Sequence, residues 1–331
     1  MDDFFAPGLT STPSSLRREC RGVRSPLKSL FAAVLWSLLG SACVSDRGDD
    51  DDVLVDPEPV RVFLMAGQSN MEGYGPLTDQ GTGDWPLSDS LEALIASGEE
   101  SEGLLEKRDD AWVHFDSELP VNPPGLLEPG FGAGGQFFGP ELGIGHLLGE
   151  AGGPPVVMFK SAVGGTTLGG DWRPPTAVAE SGGSVGPLYE EMTDGFAAFR
   201  EGALQESFPE ALEERGYEVA AFVWLQGWND QFEDGFVAQY EDNLVALVTD
   251  VRESLNLPGL RTLVVEGPTL DQELRDARLA AIDRLEASQP GETVLIETED
   301  LVEEEVEGNF HFHFSASNYL EVGRRIGSAL Q

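Results

Sequence analysis

A chain of 331 residues, 40% of them hydrophobic, can bury a full globular core and is too apolar to remain unfolded. Its 59 acidic residues against 20 basic ones give a formal net charge of −39. That balance excludes nucleic acid and anionic membrane surfaces as partners, since their phosphates would be repelled, and reads as a solvated acidic surface.

Arg17, Arg18, Arg21, Arg24 and Lys28 precede an apolar run, LFAAVLWSLL, at positions 30–39. The run has the length of a signal-peptide core and is short for a membrane span. Gly40, Ser41 and Ala42 then lead to Cys43, an order similar to a bacterial lipoprotein signal, in which Cys43 becomes the lipidated first residue. Plain secretory cleavage is the alternative, and both export the protein. Residues 1–43 are therefore expected to be a signal peptide. Residues 44–59, with four aspartates in a row at 49–52, read as an acidic linker that repels itself. The only other cysteine, Cys20, lies in the leader, so the remainder has no internal disulfide and depends on its core.

Apolar runs at 60–66, 155–162, 219–226, 260–266 and 293–297 predict strands, and helical periodicity at 140–150, 187–204, 236–255, 270–288 and 315–330 predicts helices. Such alternation implies an α/β fold, a three-layer doubly wound sandwich with a five-stranded, mainly parallel sheet, in one domain over 60–331. The stretch 74–138 is rich in Gly, Pro and acidic residues and reads as a long loop walling the site.

The chemistry gathers at strand ends. The first strand runs into GQSNMEG, placing Gln68, Ser69 and Asn70 in a turn, where open α/β sheets bind their ligands. Ser69 stands where a nucleophile belongs, and it needs a base and oxyanion donors; a small residue filling a turn is the competing reading. The second strand ends in KSAVGGTTLGG, with Gly164 and Gly165 able to bring backbone N–H groups close to a ligand. Trp172 follows as a candidate platform for a sugar face, with a buried structural Trp as the equal alternative. The third ends in FVWLQGWND, a polar cluster that would cost about 1–3 kcal/mol per group if buried unpaired. The last block, NFHFHFSASNYLEVG, holds two of the four histidines, His311 and His313, ahead of a helix that Ser315 can cap. No third ligand accompanies them, so no metal is expected.

GQSNMEG resembles the nucleophile block of the SGNH (GDSL-type) hydrolases, in the branch of the sialate O-acetylesterases and family 6 carbohydrate esterases, and the later blocks follow in the family's order. The resemblance implies a flavodoxin-like fold and a cofactor-free serine esterase. Such an enzyme would remove O-acetyl groups from acetylxylan or a related polysaccharide, or from sialic acid. It implies Ser69 as nucleophile and first oxyanion donor, and the N–H of Gly164 or Gly165 as the second. Aligned on the Gln-Gly pair the third donor is Gln226; aligned on the wider Gly-x-Asn-Asp block it is Asn229, and the first alignment is preferred. The spacing to Tyr319 and Gly323 selects His313 as the base, with His311 as the alternative base or, by preference, a satisfied structural histidine. Gln68, Asn70, Trp172 and Asp230 fall to substrate binding. The chain departs from the pattern where the superfamily carries an Asp shortly before its histidine, because Phe310 and His311 stand there. Glu307 is the candidate third member, ahead of Glu305 and Asp300, with solvated acidic surface as the competing reading. The rival functions are a catalytically impaired carbohydrate-binding protein on the same fold, and a lipase or thioesterase of the same superfamily.

Overall fold

The structure, a computed structural model, describes residues 57–79, 89–117, 119, 121–213, 215–302 and 309–331. The expected signal peptide, Cys43, most of the acidic linker, Glu305 and Glu307 lie outside the described residues. No helix among the described residues is long and apolar enough to cross a membrane.

Strand β1 (Val60–Gly67) is almost wholly buried and stops at Gly67, whose φ of 156° and closeness to the Leu225 carbonyl leave no room for a side chain. After it come the single turn α1 (Ser69–Glu72), β2 (Gly75–Pro76), α2 (Leu91–Ser97), β3 (Ala111–Asp116), β4 (Gly125–Leu126), β5 (Phe137–Phe138) and α3 (Pro140–Glu150). Strand β6 (Val156–Ala162) leads through α4 (Pro175–Ser181) to α5 (Pro187–Ala198), a π turn at Phe199–Ala203, and α6 (Leu204–Ser207). The chain closes with β7 (Tyr217–Leu225), α7 (Phe236–Ser254), β8 (Arg261–Val265), α8 (Gln272–Ser288), β9 (Thr293–Ile296) and α9 (Ala316–Leu330).

The main sheet has seven strands in the order β4-β3-β6-β1-β7-β8-β9, parallel except where β4 runs against β3. This corrects the expected five. The two extra strands come from the stretch read as loop, where β3 is stabilised by pairing with β6 from Ala111 to Asp116. The pleat divides the core into two layers. Val62, Leu64 and Ala66 pack with Phe196, Leu244, Leu247 and Ile282 on one face. Phe63 and Met65 pack with Leu142, Ile144, Leu320 and Ile326 on the other. Helices cover both faces, as the alternation implied.

Beside β1 stand β6 on one side and β7 on the other. The chain goes out from β1 toward β3 and β6, then crosses back to β7, so a crevice opens at the carboxyl ends of all three. A buried ion pair braces it: Lys160 and Glu141 meet at 2.8 Å with side chains 0% and 1% exposed. The same ammonium donates to the carbonyls of Glu72 at 2.6 Å and Phe131 at 2.7 Å. Burial pulls the Lys160 pKa down and the Glu141 charge pulls it back up. Lys160→Met strands the Glu141 carboxylate and is expected to cost about 3–5 kcal/mol. Replacing both partners by apolar residues costs less, and urea unfolding of the single and double variants reads the difference.

Candidate active site

Three strand ends supply the site. From β1, the α1 turn carries Ser69, 7% exposed. It is pinned at its end by the Lys160 bond to the Glu72 carbonyl. From β6 comes the Gly164–Gly165 turn, and from β7 the Trp228–Asn229 corner. Ser69, Gly164, Gly165, Trp228, Asn229 and His311 line one cleft of about 540 Å³. Glu72, Tyr74 and Phe310 complete its polar and aromatic wall, with Leu119 and Val163 at the apolar side.

The amides behind Ser69 are mostly occupied with one another. Gln226 is 2% exposed, and its Nε2 donates to Asp230 Oδ2 at 2.6 Å, to the Thr166 carbonyl at 3.0 Å and to Gln68 Oε1 at 3.1 Å. Its donors are consumed in the interior, and its backbone carbonyl accepts from the Tyr240 hydroxyl at 3.0 Å. Asn229 is the amide on the cleft. Gln68 Nε2 donates to its Oδ1 at 3.1 Å, which fixes the amide's orientation and leaves Nδ2 as the group able to donate to a ligand. Asp230, completely buried, accepts from the backbone of Leu168 and Gly169 at 3.0 and 2.9 Å. Burial raises its pKa and these donors, Gln226 first, pull it back.

Four residues expected to touch substrate are not among those lining this cleft. Gln68, Asn70, Trp172 and Asp230 are 1%, 2%, 0% and 0% exposed. Trp172 packs edge-on to Trp224 with centroids 5.5 Å apart and donates Nε1–H to Thr166 at 2.9 Å, so it is core rather than platform. Asn70 is a clamp. Its Nδ2 donates to the Phe310 carbonyl at 2.9 Å, and its Oδ1 accepts from the Tyr319 hydroxyl at 2.8 Å, tying the serine turn, the histidine segment and α9 together. The aromatic groups that do line the cleft are Tyr74, Trp228 and Phe310.

The histidine segment winds tightly, with Phe312, His313 and Phe314 all at positive φ, 46°, 62° and 47°. Side chains there meet a steric penalty of about 1–2 kcal/mol per residue. His311 lines the cleft with Ser69, its ring stacked on Tyr74 with centroids 4.1 Å apart. Its Nδ1 is buried without a hydrogen-bond partner among the described residues, and burial pulls its pKa down to about 3. His313, 6% exposed, is not among the residues lining the cleft. Asp300 is engaged elsewhere, against the Arg325 guanidinium at 2.5 and 2.7 Å.

Glu72, the acidic residue of GQSNMEG, has no role in what the resemblance implies. Its carboxylate faces the cleft and accepts the Gly164 N–H at 2.8 Å. Burial raises its pKa, with the Gly164 bond and the Lys160 charge opposing. Its spacing from Ser69 was the available signal, because residues three apart lie on one side of a helical turn. Of the two glycine donors, Gly164 is thus engaged, while Gly165, at φ 77°, has nothing within 4 Å of where a Cβ would stand. Among the described residues no cluster of three His, Cys, Asp or Glu could hold a metal ion.

The family described as carbohydrate esterase, sialic acid-specific acetylesterase matches residues 59–331. A relative from Arabidopsis thaliana, described as a probable carbohydrate esterase, is 25% identical over 237 residues, which is 70% of this chain and 80% of that protein. A crystal structure of an Arabidopsis thaliana protein has a TM-score of 0.56 at 17% identity, covering 82% of this chain and 98% of that one. A carbohydrate acetylesterase from Xanthomonas citri has a TM-score of 0.51 at 17% identity, covering 81% of this chain and 55% of that one.

Proposed function

Because the chain belongs to the carbohydrate esterase family of sialic acid-specific acetylesterases, we propose that it deacetylates carbohydrates through a Ser69 acyl-enzyme. One observation carries this reading. Ser69, the only nucleophile that the serine motif delivers to the crevice, shares a single cleft with an imidazole, an oriented amide and an open glycine turn.

Ser69 Oγ attacks the acetyl carbonyl while His311 takes its proton. The Ser69 N–H and the Asn229 Nδ2 receive the oxyanion, with the Gly165 N–H as the further donor. The imidazolium then protonates the departing sugar hydroxyl, and a water deprotonated by the same ring releases acetate. The resemblance favours His313 as the base, but His311 is the imidazole on the cleft wall. Tyr74, Trp228 and Phe310 offer faces for the apolar C–H surfaces of a sugar. Export through residues 1–43 belongs to the same reading.

The test is acetate release from a panel of acetylated polysaccharides, beside a series of p-nitrophenyl esters of rising acyl length. An acetylesterase loses kcat/KM steeply beyond two or three carbons, and a flat series would return the chain to the lipases and thioesterases. Asn229→Ala is expected to lower kcat about 10²–10³-fold with KM little changed, whereas an equal loss in Gln226→Ala at full foldedness would move the donor role inward.

That His311 Nδ1 has no partner among the described residues favours a second reading, a glycan-binding protein with an impaired base. Covalent labelling of Ser69 by a fluorophosphonate separates the two.

A further inference from the structure

Glu72 is a carboxylate built into a cleft that has no Lys or Arg among its described lining residues. A methyl group at Gly164 would lie 2.9 Å from Glu72 Oε2 and 3.6 Å from the Ser69 Cβ, so the carboxylate stands beside the nucleophile. It is 5% exposed and held by the Gly164 N–H at 2.8 Å, while its own backbone is pinned by Lys160. It is a fixture of the wall.

No Lys or Arg lines the cleft among the described residues. Lys160, the cation that acts on Glu72, is fully buried and committed to Glu141 and two carbonyls. His311 is held neutral by burial.

We propose that Glu72 sets the substrate class, admitting O-acetyl esters of neutral sugars and rejecting those of sugars that carry a carboxylate. The inference rests on the esterase reading above and adds to it a residue that discriminates. A sugar carboxylate entering beside Ser69 would lose water without gaining a cation, and would meet a fixed like charge in a site of reduced dielectric. A neutral sugar meets the opposite situation. Its hydroxyls are donors, and a hydrogen bond to an ionised carboxylate is among the stronger kinds. The overall charge of −39 repels anionic substrates as well, but that field acts at long range and is screened by salt. The Glu72 contribution is local.

The test compares kcat/KM for an O-acetylated methyl glucoside and the matching O-acetylated methyl glucuronoside, with p-nitrophenyl acetate as a further ester. The wild type is expected to favour the neutral sugar by about tenfold or more, and added salt from about 20 mM to about 500 mM narrows the ratio only partly. In Glu72→Gln, whose Oε1 can still accept the Gly164 N–H, the ratio is expected to fall to about threefold or less. Equal rates on the two sugars in the wild type overturn the proposal, as does a ratio unchanged in Glu72→Gln. Should that variant not fold, Glu72→Met is read for the same ratio. If neither folds, the wild-type ratio at high salt decides, and its complete loss there assigns the selection to the overall field. Absence of turnover on every ester, with Ser69 inert to a fluorophosphonate, defeats the esterase reading instead.

Discussion

Ser69→Ala is expected to lower acetate release roughly 10⁴–10⁶-fold and to abolish labelling by a fluorophosphonate. The change removes one oxygen from a residue at the end of β1 whose surroundings are held by other groups: the Lys160 bond to the Glu72 carbonyl and the Asn70 clamp to Phe310 and Tyr319. The turn therefore keeps its shape, and a glycan should still bind, as isothermal titration can read. Residual acetate release above about 1% of wild type, far more than an unaided oxyanion hole leaves, would mean a different nucleophile. A wild-type Ser69 that stays unlabelled while glycan binds would instead identify a binding protein.

The second large effect divides the two histidines. His311→Ala is expected to lose roughly 10³–10⁴ in kcat/KM, the scale of a general base. His313→Ala, at a buried position with left-handed backbone, is expected to lose stability in urea and less than about tenfold in activity once the folded fraction is matched. The reverse pattern would give the base role to His313. The pH profile carries an independent mark. The base must be neutral, and burial holds His311 down to about 3, so kcat/KM on a neutral ester is expected to stay level from pH 7 to about pH 4 and to fall near 3. An ordinary imidazole would lose it near 6.5. The same ring is a weak base at neutral pH, so proton transfer gains little driving force and turnover is expected to be modest.

Stability runs the other way over that window. His311 at about 3 and His146 at about 4, both lowered by burial, stay neutral in the fold where the unfolded chain is protonated below about 6.5. The unfolded state then binds more protons, so stability from these two groups is intact above 6.5 and declines as pH falls toward 4 and 3. Urea midpoints taken between pH 7 and pH 4 should fall while the specific activity of the folded fraction holds.

Much of the sheet was legible because parallel strands buried on both faces are continuous apolar runs. The strands expected at 60–66 and 155–162 appear as Val60–Gly67 and Val156–Ala162. β3 was not legible. AWVHFD is short, and its strand character comes from pairing with β6, a contact made across the chain. The helix expected over 187–204 breaks at a π turn, Phe199–Ala203, and one extra residue per turn leaves the apolar periodicity nearly unchanged.

At the site, Ser69 and the glycine turn were legible because their chemistry is local to a strand end. The roles of the amides were not. A polar cluster beyond an apolar strand invites a ligand-facing reading, yet Gln68, Gln226, Asn229 and Asp230 satisfy one another. Which amide reaches the cleft depends on Asp230 capturing Gln226. Glu72 was overlooked because acidic residues abound in this chain, and only its bond to Gly164 distinguishes it from the solvated majority.

Trp112, Trp172 and Trp224 are 6%, 0% and 0% exposed, whereas Trp228 sits half-open on the cleft wall, its ring centroid 5.7 Å from those of Phe232 and Phe310. Among the described tryptophans three are therefore shielded in the interior and one, Trp228, stands at the mouth of the crevice. A sugar docking there displaces water from the Trp228 indole and shifts its spectrum, so occupancy can be followed optically in a protein that turns nothing over.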